Sequence, residues 1–62
     1  MKWFVITYEG DGEIVRIFTY DAEPTDSVLK EHANPRFWNL MVIEAKTRKA
    51  AREIFHKRIN RE

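Results

Sequence analysis

Three features predict a small α+β domain in ββαβα order. Two aromatic and β-branched runs flank Gly10-Asp11-Gly12, a continuous apolar run lies at residues 40–43, and the last third of the chain has helical apolar spacing. The expected architecture is a three-stranded, mainly antiparallel sheet with two helices packed on one face. At 62 residues the chain is expected to form one compact domain, residues 1–62. A domain of that size buries only about 60% of the surface its unfolded chain exposes.

The first strand is expected over Trp3 to Tyr8 and the second over Ile14 to Tyr20. If Asp11-Gly12 forms a two-residue turn, Tyr8 opposes Val15, Ile6 opposes Ile17 and Phe4 opposes Thr19, a mostly apolar set facing the core. Alternation then places Trp3, Val5, Arg16, Phe18 and Tyr20 on the opposite face, together with Thr7.

Pro24-Thr25-Asp26-Ser27 reads as the capped start of a short helix, and Asn34-Pro35 as its stop. Trp38 to Ala45 reads as the third strand, its run Leu40 to Ile43 apolar enough to be covered on both sides. The connection from the second strand is long enough to hold the first helix as a crossover. The third strand can therefore add beside the first, giving the order 2-1-3. Thr47 caps a final helix whose apolar stripe is Ala50, Ala51, Ile54, Phe55 and Ile59.

The composition narrows the functional classes. Apolar content of 44% is too high for a disordered chain. With no cysteine there is no disulfide framework, thiolate nucleophile or Cys-based zinc site, so a reducing cytoplasm is the expected compartment. The apolar segment Met1 to Tyr8 is too short and wrongly flanked for a signal peptide or membrane span, so the chain is expected to be soluble and complete.

Charge is distributed unevenly. Residues 46–62 carry seven Lys/Arg and two acids, about +5, whereas residues 1–45 carry four bases and eight acids, about −4. Such a split favours oriented docking of a positive surface on an anionic partner. On the final helix Lys49, Arg52 and His56 form a ridge at spacings of three and four, flanked by Arg48, Lys57 and Arg61. Nucleic-acid phosphates reward such a row through charge-assisted contacts and counterion release. Arg48 and Lys49 also stand in the first turn, where the helix dipole disfavours cations and a bound anion offsets the cost. The same residues suit an ordinary solvated face, with Glu53 pairing to Lys57 and partly to Lys49.

The second candidate surface is the outer sheet face, Trp3, Val5, Arg16, Phe18 and Tyr20. Left uncovered, it serves either as a protein interface, a homodimer being the simplest, or as a platform for unpaired bases. If the first helix, or Trp38 with the loop at Asn34 to Phe37, folds over it, it is core.

No catalytic constellation can be assembled, and a non-enzymatic module is expected, with no cofactor, metal, small-molecule substrate or membrane. His32 and His56 lack the spacing of a zinc site. Glu9, Asp11 and Glu13 lack the oxygen spacing of a calcium loop and suit turn chemistry, while Asp21, Glu23 and Asp26 imply no cleft. Both glycines are used in the hairpin, which leaves none for a phosphate loop. The aromatic signature of an RRM and the GxxG of a KH domain are missing, and the element order departs from a double-stranded RNA-binding domain. The expected function is binding of nucleic acid or another anionic partner through the basic helix. The alternative is protein interaction through the aromatic face, in the style of a phage accessory protein.

Overall fold

The computed structural model describes residues 1–33 and 39–60. Its elements are β1 (Lys2–Tyr8), β2 (Ile14–Tyr20), α1 (Asp26–His32), β3 (Asn39–Ala45) and α2 (Arg48–Ile59). Both strand pairs are antiparallel and the order is β2-β1-β3, so the class, the element order and the strand order are those expected. The expectations for Asn34-Pro35, for Trp38 as the start of the third strand and for Arg61 fall outside the described residues.

The hairpin is more elaborate than a two-residue turn. Glu9 N–H donates to the Glu13 carbonyl and Gly12 N–H to the Glu9 carbonyl, each at 2.8 Å, which closes a three-residue loop, Gly10-Asp11-Gly12. Gly12 takes φ +93°, the left-handed conformation such a loop requires at its last residue. The Asp11 carboxylate accepts from Glu13 N–H at 3.0 Å. Tyr8 consequently faces Ile14, not Val15, which corrects the expected pairing. The register shifts between Thr7 and Tyr8, leaving Val15 as an extra residue in β2, a bulge. Beyond it, Thr7 pairs with Arg16, Ile6 with Ile17 and Phe4 with Thr19. The bulge thus absorbs the extra loop residue and preserves the register set by the apolar alternation.

The core lies between the sheet and α2. Phe4, Ile6, Ile43 and Ala45 from the strands meet Ala51 and Phe55 from the helix, and Tyr8, Ile14, Ile17, Met41, Ala50, Ile54 and Ile59 pack around them. Tyr8 meets the Phe55 ring edge-on at 4.9 Å. Thr47 caps α2 by accepting from Ala50 N–H at 3.1 Å. The apolar stripe read from the sequence is therefore the stripe that packs.

The two helices, expected on one face, lie against opposite faces. Phe18 and Tyr20 alternate with the core residues of β2, and His32 at the end of α1 reaches both. Its ring lies 3.9 Å from that of Phe18, and its Nε2 is hydrogen-bonded to the Tyr20 hydroxyl. Leu29 and Ala33 share a surface cleft with Leu40, which pairs with Thr7 on that same face. The reason is the apolar content of the second face, where Val5 (0% exposed) and Thr7 (2%) are buried. Val28, Leu29 and His32, the half-buried positions of α1, form the one stripe the helix has to offer.

Among the described residues, no helix is long and apolar enough to cross a membrane.

Candidate nucleic-acid interface

Arg48, Lys49, Arg52, His56 and Lys57 are all exposed on α2. The apolar stripe fixes this outcome, because turning Ala51 and Phe55 into the core leaves the remaining rows of the helix to solvent. No acid stands in the first turn of α2. The Glu53 to Lys57 pairing expected of a solvated face is not formed. Among the described residues the one ion pair within 4.0 Å joins Lys2 to Asp21, both well exposed, and pairs of that kind contribute little.

Arg48 and Arg52 differ from the other cations of the helix in what they face. One turn apart, they border β2 and line an open cleft with Ile14, Val15, Arg16 and Ile17, of about 490 Å³. Two arginines of the helix and Arg16 of the edge strand thus border one space, and among the described residues no carboxylate lines it. Lys49, His56 and Lys57 lie outside the lining, on the more solvent-facing rows of the same helix. The cleft wall on the sheet side is four consecutive residues of an edge strand, held there by the bulge at Val15. Arginine forks match phosphate and carboxylate oxygens two at a time, so the cleft is suited to an anion with several oxygens.

Sequence reasoning grouped Arg16 with the aromatic face, and the structure places it at the meeting point of two sites. It is exposed, its guanidinium carbon lies 5.9 Å from the Phe18 ring centroid, and it also lines the arginine cleft. The other members of the proposed sheet surface are less available. Val5 is fully buried, and Trp3, Phe18 and Tyr20 are half-buried, two of them engaged by His32. Val15 and His32 are the contributors that sequence reasoning missed. The signal for His32 was its place four residues after Val28 on an otherwise weak apolar stripe, and Val15 gave none.

The remaining polar clusters are accounted for locally. Carboxylate oxygens of Glu9, Asp11 and Glu13 lie within 4.8 Å of one another at the exposed loop, where Asp11 serves the turn. His32 and His56 stand on helices against opposite faces, so they do not share a site. No family model matches the chain, and comparison with curated proteins and with solved structures finds no match.

Proposed function

We propose that the protein is a non-enzymatic module that binds nucleic acid through the basic face of α2. The observation that carries this reading is that Arg48 and Arg52 of α2, with Arg16 of β2, line one open cleft with no carboxylate among the described lining residues. Arg48 and Arg52, one turn apart on a helix with no acid in its first turn, repel one another in the free protein, and that repulsion is relieved when a polyanion binds. Lys49 and Lys57 extend the positive surface beyond the cleft, with His56 exposed between them, giving a longer track than a single small anion needs. The uneven charge of the chain adds orientation, since the acid-rich remainder turns a polyanion toward α2.

The test is affinity for random-sequence oligonucleotides measured over a range of salt. Three arginine contacts give a slope of log K against log salt of about −2 to −3. The double substitution R48E/R52E should weaken binding at least about tenfold and flatten the slope by about 2. Unchanged affinity and slope in that variant would remove the basis for the proposal.

A further inference from the structure

We infer that the nucleic acid bound is single-stranded, and that it crosses the edge of β2 at Val15 and Arg16 with phosphates against Arg48 and Arg52 and a base seated beside Phe18. This rests on the nucleic-acid reading of the arginine cleft.

A second cleft, of about 250 Å³, is lined by Thr7, Val15, Arg16, Phe18 and His32. Val15 and Arg16 line both clefts. The two spaces therefore adjoin around the outer edge of β2, which has no strand partner among the described residues. Val15 stands at this junction because it is the residue the bulge inserts, and bulges at sheet edges re-aim side chains in this way.

The clefts differ in chemistry. The first is bordered by Arg48 and Arg52 of the helix, and the second combines an aromatic pair with the Arg16 guanidinium. Phe18 and His32 are 3.9 Å apart between ring centroids and tilted by 31°, and Arg16 adds a planar guanidinium near the Phe18 ring. Aromatic rings and guanidinium planes are the groups on which unpaired bases stack. A single strand has the matching division, with anionic groups along its backbone and flat π faces projecting beside them. A duplex keeps its bases stacked inside and can engage the first cleft alone.

Size points the same way. The second cleft falls below the about 300–1,000 Å³ of sites that enclose a whole small molecule, so it suits one ring of a larger ligand. The Thr7 hydroxyl donates to the Arg16 carbonyl at 3.3 Å, which pins the backbone of β2 where the clefts meet.

Fluorescence anisotropy with four labelled probes tests this: an oligothymidylate, an abasic strand of equal length, a duplex of equal length and polyglutamate. With the unaltered protein, the oligothymidylate should bind about tenfold or more tightly than the abasic strand, and more tightly than the duplex. F18L keeps apolar bulk but removes the ring, so it should bring the oligothymidylate down to the level of the abasic strand. R48E/R52E should weaken all three nucleic-acid probes. Equal affinity for the abasic strand and the oligothymidylate, both still dependent on Arg48 and Arg52, would overturn the base seat while leaving the phosphate reading intact. A duplex that binds tightest would do the same. Failure of all three nucleic-acid probes, or polyglutamate binding more tightly than each of them, would overturn both readings. The comparison among probes uses the unaltered protein and so holds even if F18L folds poorly.

Discussion

Gly12 is the residue at which the backbone leaves least choice. Its φ of +93° is one that side-chain-bearing residues rarely adopt, and a Cβ built there would lie 3.1 Å from Cγ2 of Ile59. Strain and crowding therefore act together in Gly12→Ala, and we expect a loss of about 1–3 kcal/mol, read as a lower urea midpoint at unchanged m-value. Gly10 in the same loop supplies the control. A Cβ there meets nothing within 4 Å and its φ is not positive, so Gly10→Ala should be neutral or stabilising by up to about 1 kcal/mol. If both substitutions cost the same, loop closure does not depend on a left-handed residue at Gly12.

Among the elements, α1 depends most on a single contact. It has seven residues and no fully buried side chain, whereas isolated helices shorter than about 12–15 residues are marginal in water. Its Thr25 cap, accepting from Val28 N–H at 3.4 Å, is too little to hold it, so docking must, and His32 makes the two named contacts across to β2. We expect His32→Ala to speed amide hydrogen exchange through α1 by at least about tenfold, with α2 unaffected. Unchanged protection of α1 would show that Val28 and Leu29 dock the helix without the histidine. This dependence also explains why the face covered by α1 was not legible beforehand. Ala50, Ala51, Ile54, Phe55 and Ile59 write a periodic stripe over three turns of α2, whereas α1 offers only Val28, Leu29 and a histidine that reads equally well as a surface residue. The hairpin was legible to the same partial extent. Alternating apolar residues specified Ile6 opposite Ile17, but Gly10-Asp11-Gly12 admits both a two-residue and a three-residue closure. The longer one places Val15 in a bulge that no pattern marks. The basic row of the candidate site could be read from residues 48–57 alone. That Arg16 lines one cleft with Arg48 and Arg52 needed the fold, because Arg16 is more than thirty positions away in the chain.

For the whole molecule, salt should act in opposite directions on folding and on binding. Stability rests on a small apolar core of Phe4, Ile6, Ile43, Ala45, Ala51 and Phe55, and the ion pair between Lys2 and Asp21 is too exposed to add much. Repulsion works against the folded state on α2, where Arg48, Lys49 and Arg52 are neighbours without an acid in the first turn. Unfolding the helix lets these side chains move apart and relieves that repulsion, so screening should favour the folded state. Raising potassium chloride from about 10 mM to about 150 mM shortens the Debye length from about 30 Å to about 8 Å. We expect stability to rise by a few tenths of a kcal/mol to about 1 kcal/mol, seen as an increase in Tm, while nucleic-acid affinity falls over the same range. In R48E/R52E both responses should shrink together, because they have one cause. A fall in Tm with added salt would mean that attraction between the acid-rich β1–β2 region and α2 outweighs repulsion along the helix. In that case the arginines would already be compensated within the fold, and the unrelieved repulsion from which the polyanion reading draws its energy would be gone.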